Sequence, residues 1–574
     1  MNKIIELIEQ GDYQRAEKAL SEYMNEHPFS DDVAVLGATI AQGLGKYDEM
    51  LECVRLGLSY NPDHYELYYM LGEYYRMSNE KLAYLYFELA VEKCNQDADR
   101  AFLEEAFETF ARESGVEVPG ITILYLTHDS EPYIDISMKA LRNFVNEKQV
   151  EIIAVDNGSK DRSVQILRQY SNVQVLQNTQ PVGIARCINE GIKKSNPNND
   201  IYLMQAEYVP LKNSVQMLRL DAYEKALTGA TGSVSNHFVN HQCKEVFYNE
   251  FEKALEEEKK NIPTKNYCEV KTYLAPFSLF IKRQAIDKVG LFDETLNPAE
   301  HVDEDYGIRI LEAGYQNYLC YNSYVYCLLD SERKSVIEDW RYAPGSYRSF
   351  KEKWGFTSAY FSGCRVDLMT MIERDREEEL HFLEVGCTSG ETLSRLQYRY
   401  PNGSVHGVEL NEQVAAIGAY KLDIHCGNIE TMQLPYGKES FDYIIFGDVL
   451  EHLAYPEDTL IRMREYLKED GCILTSIPNI LYGDVIYDLL QGNFTYQDYG
   501  ILDRTHLRFF TQNEIFKMFS RCGYYIDQLS TTKTSQNPSE RHPEFFKQLF
   551  EIRDIGIDKT QIDIFQFLVR ARKQ

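Results

Sequence analysis

Apolar residues in the first 112 positions recur at the spacing of an amphipathic helix, as in the segment MLECVRLGL. The pattern also repeats, because Gly11 recurs as Gly45 and Pro28 recurs as Pro62, a period of 34 residues. Helical units of this length bury their apolar faces by stacking on one another. We therefore predict a short all-α solenoid over residues 1–115, closed by a helix within AFLEEAFETFAR.

After this region, strand-like runs alternate with helical runs. ITILYLT, EIIAVDN and NVQVLQN are predicted strands, and SMKALRNFV and VQILRQY are predicted helices. This alternation predicts a parallel sheet whose ligand crevice lies at the carboxyl ends of the strands. The turn VDNGSKD follows one strand, so Asp156 and Asn157 can face a nucleobase or ribose while Gly158 permits a sharp turn. We predict an α/β domain over residues 116–358.

A second strand and helix alternation begins at HFLEVGCTSGETLSRL, where a buried strand enters a glycine-containing turn and then a helix. Such a turn lets the backbone approach a nucleoside closely. Strand-like runs follow in SVHGVEL, FDYIIFG and GCILTSIPN, and Glu409 ends the first of these, where a carboxylate can accept both ribose hydroxyls. We predict a second α/β domain over residues 359–574, entered by a charged helix at MIERDREEELH.

Length, charge and cysteine usage narrow the possible classes of protein. A chain of 574 residues exceeds what one apolar core usually serves. The formal net charge of −29 would repel polyanions, so nucleic acid is not an expected partner. No run approaches the roughly 20 apolar residues of a membrane span, and the first residues lack the features of a signal peptide. The twelve cysteines form no CxxC pair, so we expect a reducing, cytoplasmic location.

Several ordered motifs between residues 120 and 357 resemble the family 2 glycosyltransferases of the GT-A fold. They are ITILYLTHDSEPYI, EIIAVDNGSKDRS, NTQPVGIARCINEGI, a GYQ after a DED segment, and FKEKWG. The resemblance implies an inverting sugar transferase with a nucleotide-sugar donor. It places the donor near the ends of the first two strands and the following helix, at Thr127, Asp156, Asn157, Gly158 and Arg186. A surface ion pair is the alternative interpretation of Arg186.

The same resemblance implies a divalent cation, Mg or Mn, that neutralises the leaving nucleoside diphosphate. Gln205, Ala206 and Glu207 replace the family's acidic motif, so Glu207 is the candidate metal ligand. Cys327 stands where the family has a further histidine ligand, and sulfur suits a hard cation poorly. Weak metal binding, metal-free transfer and loss of sugar transfer all stay open.

The segment HVDEDYGIRI offers the base that an inverting transferase needs to take the proton of the acceptor hydroxyl. Asp303 precedes Arg309 by the family's spacing and is the candidate base. Asp305 is the reserve candidate, and it can pair with Arg309 one helical turn later. The alternative is an ordinary acidic helix start, favoured by the helix dipole.

The carboxyl-terminal region, residues 365–574, resembles the class I S-adenosylmethionine-dependent methyltransferases in the order of EVGCTSG, FDYIIFGDVLEHL, GCILTSIPN and DIFQFLVRARK. A site for an NAD-type dinucleotide is the rival interpretation of the glycine-containing turn. The resemblance implies cofactor contacts along the carboxyl ends of the strands, at Glu384, Gly386, Gly390, Glu409, Asn428, Ile429 and Asp448. His506, in GILDRTHLRFFT, is the candidate base for a hydroxyl acceptor, or it simply orders its loop.

Together these features predict a bifunctional enzyme that transfers a sugar from a nucleotide-sugar donor and methylates a glycan hydroxyl. The acceptor would be flagellin or a surface glycan of a bacterium, and the sugar a deoxyhexose such as rhamnose. The amino-terminal repeats resemble tetratricopeptide units and would dock a protein acceptor or partner enzyme, or only support the neighbouring domain. Two alternatives stay open. One is an active methyltransferase with a degenerate, glycan-binding sugar domain, and the other is a non-enzymatic scaffold.

Overall fold

The computed structural model describes residues 1–144, 150–237, 240–243, 251–265, 267–296, 301–329, 348–357, 363–552, 556 and 558–574. Its contacts divide the chain into two compact units, Met1–Lys353 and Trp354–Gln574. The predicted domain boundary at residues 358 and 359 lies outside the described residues.

The first unit begins with helices, as the apolar spacing predicts. They are α1 (Asn2–Glu9), α2 (Tyr13–Glu26), α3 (Asp31–Gly43), α4 (Tyr47–Tyr60), α5 (Tyr65–Tyr75), α6 (Glu80–Lys93) and α7 (Asp97–Ser114). Each helix packs against the next along the chain. Side chains of Asp12, Ser30 and Asn79 accept hydrogen bonds from the first turns of α2, α3 and α6, which satisfies amides that a helix start leaves open. The tetratricopeptide-like character of these helices stays a prediction.

An α/β region completes the first unit. Its strands are β1 (Ile121–Thr127), β2 (Val150–Asp156), β3 (Val173–Gln177), β4 (Asp200–Gln205), β5 (Tyr208–Pro210), β6 (Thr228–Ser235), β7 (Cys268–Lys271), β8 (Ser278–Ile281) and β9 (Gln316–Cys327). Its helices are α8 (Glu131–Phe144), α9 (Ser163–Leu167), α10 (Ile184–Lys194), α11 (Ser214–Glu224), α12 (Phe251–Ala254), α13 (Arg283–Val289), α14 (Val302–Glu312) and α15 (Arg348–Trp354). The described strands form one sheet in the order β3-β2-β1-β4-β8-β6-β9-β5, with β7 beside β9.

The parallel strands β3, β2, β1 and β4 place the candidate donor residues at one edge. Thr127 at the end of β1 lies in register with Asp156 at the end of β2, and Leu126 lies in register with Gln205 at the end of β4. Every residue of β1 is buried, as expected for a strand covered on both faces. The carboxyl ends of these strands therefore lie together at the edge where the sequence predicts the ligand crevice.

The helices α3–α7 share an apolar core with the sheet. Leu85 and Leu89 of α6 belong to the same buried cluster as Ile123 of β1 and Met217 of α11. Polar contacts reinforce this packing, because Arg219 of α11 binds Glu88 of α6 at 2.6 Å and donates to the carbonyl oxygen of Pro119 at 2.9 Å. The amino-terminal helices thus support the α/β region, and any docking role would come in addition.

A cavity of about 270 Å³ lies between α6 and the sheet. Its lining includes Ile121 and Val150, the first residues of β1 and β2, together with Glu92 and Arg219. It therefore opens at the amino ends of the strands. The candidate donor residues lie at the opposite ends, so this cavity is separate from the predicted crevice.

The second unit contains a seven-stranded sheet in the order β12-β11-β10-β13-β14-β16-β15. Its strands are β10 (His381–Val385), β11 (Ser404–Glu409), β12 (Asp423–Cys426), β13 (Phe441–Gly447), β14 (Leu467–Pro478), β15 (Tyr524–Thr532) and β16 (Gln566–Lys573). Its helices are α16 (Val366–Met369), α17 (Glu391–Arg399), α18 (Glu412–Ala419), α19 (Pro456–Met463), α20 (Gly483–Leu490), α21 (Gln512–Arg521), α22 (Pro538–Arg541) and α23 (Pro543–Leu549). β16 runs antiparallel to both of its neighbours, and the other pairs are parallel.

The fold class agrees with the prediction: a helical region is followed by two α/β regions. One local expectation is wrong, because the segment MIERDREEELH forms turns and no helix before β10. Its run of charges offers no apolar face for a helix to bury. Among the described residues, no helix is both long and apolar enough to cross a membrane.

The Arg219–Glu88 pair should contribute more to the stability of the first unit than a surface pair does. Its side chains are only 14% and 19% exposed, whereas those of the Arg100–Glu104 pair are 47% and 54% exposed. We expect Arg219→Ala to lower the free energy of unfolding by about 2–3 kcal/mol, because it leaves a largely buried carboxylate unpaired. Arg100→Ala should cost about 0.5 kcal/mol or less.

Urea denaturation of the full-length variants would measure both effects. Equal losses for the two arginine variants would show that the Arg219 contact does not hold the helices to the sheet.

Candidate active sites

In the first unit, the crevice edge presents buried polar groups. Asp156 is fully buried at the end of β2, and it accepts hydrogen bonds from the Ser159 amide at 3.1 Å and from the Ser159 hydroxyl. The Asn157 amide donates to the carbonyl oxygen of Thr127 at 2.9 Å, which joins the ends of β1 and β2. Thr127 Oγ1 is buried and makes no hydrogen bond to any described residue. This edge therefore holds rigid polar groups suited to a ribose or base.

The turn after β2 requires glycine. Gly158 has φ +73, and a Cβ there would lie 2.4 Å from the carbonyl carbon of Gln180. Asn157 Oδ1 accepts a hydrogen bond from the Val182 amide at 2.7 Å. The VDNGSKD turn and the NTQPVG segment thus pack directly on each other.

Arg186 lies on α10 and forms a surface ion pair, which is the alternative interpretation of this residue. Its Nε donates to Glu190 Oε1 at 3.1 Å, and its side chain is 54% exposed. Asn178 donates to the other oxygen of Glu190 at 3.0 Å. A donor diphosphate would have to compete with this exposed ion pair, which is a weak one. The donor contact of Arg186 stays a prediction.

The residues around Glu207 fit a hard divalent cation poorly. Glu207 Oε1 accepts a hydrogen bond from the Ser130 hydroxyl at 2.6 Å, and the Glu207 carbonyl accepts one from the Leu328 amide at 2.8 Å. Cys327 is buried beside it, and its amide donates to Asn236 Oδ1 at 2.7 Å. One carboxylate next to a thiol is a thin ligand set for Mg or Mn. We therefore assign no chemical step to a cation here.

Sequence reasoning missed the neighbouring His237. This buried imidazole contacts the Tyr208 hydroxyl through Nδ1 at 2.7 Å, and Tyr208 pairs in register with Cys327. The residue lies outside every motif that the sequence matched, so spacing could not have found it. It brings an aromatic and polar pair to the end of the sheet near Glu207.

The start of α14 buries three consecutive acidic residues, Asp303, Glu304 and Asp305. Asp305 is fixed on both sides, since Arg309 Nε binds one of its oxygens at 2.9 Å and Lys353 Nζ binds the other at 2.6 Å. Lys353 comes from the FKEKWG motif and also binds Asp293 at 2.6 Å. Burial alone would raise the pKa of Asp293, but hydrogen bonds from Lys353 and Thr295 lower it to about 2.

These ion pairs separate the two base candidates. Both carboxylate oxygens of Asp305 are occupied by cationic side chains, so the geometry favours a structural role for Asp305. Asp303 lies one residue inside the helix and belongs to the same buried turn. Its role as base stays a prediction. Residues 297–300 of the same motif lie outside the described part of the chain.

In the second unit, the turn after β10 also requires glycine. Gly386 has φ +71, and a Cβ there would lie 2.6 Å from Val449 Cγ2. At Gly390, with φ +85, a Cβ would lie 2.8 Å from Ile424 Cδ1. The Gly386 amide donates to the carbonyl oxygen of Val408 at 2.8 Å. The turn thus packs against the ends of β10 and β11. Its backbone can therefore approach a bound nucleoside closely.

Glu409 ends β11 and braces this turn. One carboxylate oxygen accepts a hydrogen bond from the Thr388 amide at 2.9 Å, and the other accepts one from the Asn411 amide at 2.8 Å. Two amide donors hold the carboxylate at the crevice, where it retains lone pairs for ribose hydroxyls. The predicted ribose contact is consistent with this position.

Glu384 lies near the end of β10, and its cofactor contact stays a prediction. It is buried inside β10, and burial raises its pKa to about 8, although a hydrogen bond from Thr392 and the charge of Arg365 lower it. Glu384 Oε2 has no hydrogen-bond partner among the described residues. At neutral pH this group is therefore mostly protonated, and it can act as a donor beneath the turn.

The predicted adenine and methionine contacts differ in exposure. Asn428 is exposed, and its Oδ1 accepts a hydrogen bond from the Glu430 amide at 2.8 Å, whereas Ile429 is buried in the core. Asp448 follows β13 with φ +54 and binds Arg365 at 2.9 Å and the Ser476 hydroxyl at 2.6 Å. Arg365 precedes β10 and belongs to no recognised motif, so the sequence did not indicate it.

His506 lies in the loop between α20 and α21 and contacts a turn that follows β13. The amides of Leu507 and Arg508 donate to the carbonyl oxygen of Glu451 at 2.8 and 3.0 Å. The rings of His506 and His452 meet edge to face, with their centroids 4.8 Å apart. Burial and then the charge of His506 lower the pKa of His452, and burial and then Asp448 raise the pKa of Glu451 well above its usual range.

The two sheets thus place the candidate site residues of each unit at the carboxyl ends of parallel strands. Residues 122–272 match the family model described as glycosyl transferase family 2, and residues 358–529 match the model described as a methyltransferase domain. The chain therefore combines a family 2 glycosyltransferase domain with an S-adenosylmethionine-dependent methyltransferase domain, as predicted.

Similar proteins cover only part of the chain. The demethylmenaquinone methyltransferase of Listeria welshimeri is 28% identical over 171 residues, which are 26% of this chain and 72% of that protein. The enzyme of the same name from Geobacillus kaustophilus is 27% identical over 162 residues, 25% of this chain and 69% of that protein. Among solved structures, the mannosyltransferase PcManGT from Pyrobaculum calidifontis is 13% identical, with a TM-score of 0.30 over 44% of this chain and 71% of that chain.

Glu384 should make the stability of the second unit depend on pH. Its pKa is raised from the usual 4.5 to about 8 in the folded state, so the folded state holds an extra proton between these values. Its contribution to stability is fully present below the unfolded pKa and is lost as pH rises through the folded pKa. Glu384→Gln is neutral at every pH, so its unfolding midpoint should rise relative to wild type between about pH 5 and about pH 9.

Thermal unfolding of the ligand-free protein across this range would measure the difference, with exposed Glu412→Gln as the control. Curves for wild type and Glu384→Gln that stay parallel would contradict a protonated Glu384.

Proposed function

We propose that the chain transfers a sugar from a nucleotide-sugar donor in its first unit and methylates a glycan hydroxyl with S-adenosylmethionine in its second. One observation carries this proposal. In each unit a glycine turn too tight for a Cβ lies at the crevice, with a buried or nearly buried carboxylate, Asp156 or Glu409, fixed beside it. Both units therefore offer backbone groups, and a carboxylate that can accept hydrogen bonds from ribose hydroxyls, at the edge where parallel sheets bind nucleotides.

For sugar transfer, Asp303 would take the proton of the acceptor hydroxyl. The acceptor oxygen then bonds to the anomeric carbon while the bond to the nucleoside diphosphate breaks, and the diphosphate leaves with the electron pair. Arg309 and Lys353 hold Asp305 two residues later, so the first turn of α14 is rigid during this step. Asp305 would act as a positioning residue.

For methyl transfer, the chain mainly has to align the reacting groups. S-adenosylmethionine supplies an activated methyl group, whose carbon bonds to the acceptor oxygen as the sulfur–carbon bond breaks. Gly386, Gly390 and Glu409 would bind the nucleoside end, and Asp448 would face the methionine end. Alignment can be worth on the order of 10⁵–10⁸ M in effective concentration, so most of the rate can come from positioning. His506 is the candidate group that receives the hydroxyl proton.

The proposed acceptor and the proposed donor sugar are supported by sequence motifs alone. LMQAEYVP stands where rhamnosyltransferase-like relatives have an LLNNDTVP-type segment, which supports a deoxyhexose donor. The fusion of the two activities and the GILDRTHLRFFT segment support an acceptor that is flagellin or a bacterial surface glycan. The amino-terminal helices would present a protein acceptor or a partner enzyme, in addition to packing on the sheet.

The thin ligand set at Glu207 and Cys327 supports a second candidate function for the first unit. In it, the sugar domain binds the glycan without transferring sugar and presents it to the methyltransferase. Both candidates use the second unit in the same way, so only turnover of the donor separates them.

Paired substitutions should separate the two activities. Asp303→Asn should lower sugar incorporation by about 10²–10⁴-fold through loss of the base and leave methylation of a glycosylated acceptor intact. Gly386→Arg should do the reverse, because its side chain would fill the cofactor turn. Mass spectrometry of the acceptor, after incubation with a panel of nucleotide sugars with and without S-adenosylmethionine, would report the sugar and the added methylene separately.

Exposed Asp287→Asn and open Gly437→Arg are the matched controls, and both should keep wild-type activity. Sugar incorporation that is absent from wild type with every donor would support the glycan-binding alternative. Methylation that survives Gly386→Arg would contradict the assigned cofactor site.

A further inference from the structure

The second unit brings three metal-ligating side chains together beside the proposed methyl-transfer site. Glu451, His452 and His506 each offer one ligand atom, and these atoms all lie within 4.8 Å of one another. Glu451 and His452 belong to the short turn Leu450–His452 after β13, three and four residues beyond Asp448. His506 comes from the loop before α21, which the carbonyl oxygen of Glu451 fixes in place through the Leu507 and Arg508 amides.

Both imidazoles are oriented as metal ligands usually are. His452 Nδ1 lies 3.2 Å from both the carbonyl and the hydroxyl oxygen of Thr505, and His506 Nδ1 donates to the carbonyl oxygen of Ile501 at 2.9 Å. A carbonyl oxygen only accepts, and the Thr505 hydroxyl donates to Asp503, so the Nδ1 of each ring carries a proton and Nε2 is the atom left to bind a metal ion. A backbone carbonyl that fixes the tautomer in this way is a common outer-shell partner of metal-bound histidine.

Glu451 supplies an independent indication that a cation can bind here. The residue is 1% exposed, and neither of its carboxylate oxygens makes a hydrogen bond to another described residue. A buried carboxyl group without a partner either takes up a proton or binds a cation or a donor. Arg365 does not meet this need, since it is held by Asp448, Ser476 and Asp367.

We propose that Glu451, His452 and His506 bind a divalent transition-metal ion whose open coordination positions take the acceptor oxygen. Two imidazoles and one carboxylate suit Zn, Mn, Fe or Co better than Mg or Ca, which prefer oxygen ligands. A site with three protein ligands keeps positions open, as catalytic metal sites do. The role of the acceptor oxygen rests on the proposed function, whereas metal binding itself does not.

The proposal changes the role of His506. As a ligand it would no longer be the base. The metal ion would lower the pKa of the coordinated hydroxyl, as it does for bound water, so that the hydroxyl proton can pass to solvent water before the oxygen takes the methyl group. Adjacent ligands of a tetrahedral ion with bonds of about 2.0–2.1 Å lie about 3.3 Å apart. Binding an ion would therefore shorten the distances between the ligand atoms by up to about 1.5 Å.

Cobalt binding to the full-length protein tests the site without any assay of activity. The protein is stripped with a chelator, dialysed and titrated with Co²⁺ in the absence of nucleotide sugar. We expect one tightly bound Co²⁺ with the visible d–d absorption of nitrogen and oxygen ligation. His452→Gln and His506→Gln should each weaken Co²⁺ binding by at least about 10–100-fold. Loss of a residue that only supports a metal ligand already costs this much, and loss of the ligand itself should cost no less. His425→Gln, on β12 and paired with Asp423, is the matched control and should bind like wild type.

Calorimetric binding of S-adenosylmethionine shows that each variant is folded. A wild-type spectrum of hexaaquo Co²⁺ alone, or equal affinity in wild type and in folded His452→Gln and His506→Gln proteins, would overturn the proposal. A normal Co²⁺ site in a protein that neither binds S-adenosylmethionine nor methylates a glycan would uphold metal binding and reject the proposed function.

Discussion

Both sites depend on one steric constraint: a strand ends in a turn that leaves no room for a side chain. At Gly158 and Gly386 the backbone has positive φ, and a Cβ would lie within 2.6 Å of another heavy atom. In each case the space that a Cβ would fill is taken by a neighbouring segment, the Gln180 backbone or the Val449 side chain. The turn is therefore pressed onto the ends of the parallel strands, and the carboxylates of Asp156 and Glu409 are held where a nucleotide can reach the backbone.

Charge is handled differently in the two units. In the first, Arg309 and Lys353 neutralise Asp305, and Lys353 also holds Asp293, so the acidic start of α14 is compensated from within the protein. In the second, Arg365 neutralises Asp448, but Glu451 is left buried beside the imidazoles of His452 and His506. An external cation would complete that set. The structure thus places the more convincing metal ligands in the methyltransferase unit, and not at Glu207, where the family resemblance leads one to look for them.

Sequence patterns predicted the parts of the fold that local physics determines. The strands around VDNGSKD and EVGCTSG were recognisable because buried parallel strands read as continuous apolar runs that end in glycine turns. The contacts of Lys353 with Asp305, and of Arg365 with Asp448, join residues 48 and 83 positions apart, and no spacing rule connects them. In the sequence, Glu451 was recognisable only as one residue of the motif FDYIIFGDVLEHL. Its proximity to His506 could not be predicted, because His506 lies in a distant loop that contacts the Glu451 carbonyl oxygen through the Leu507 and Arg508 amides. Arg186 and Glu190 lie one helical turn apart, so the spacing rule that pairs Asp305 with Arg309 also applied to this ion pair.

The central claim is that one chain holds two separate nucleotide-type sites. Isothermal titration of the full-length protein with S-adenosylmethionine, followed by a panel of nucleoside diphosphates on the saturated protein, tests it most directly. The account predicts one S-adenosylmethionine per chain and one further nucleoside diphosphate per chain, with neither displacing the other. Competition between the two ligands for a single site, or saturable binding of neither, would contradict it.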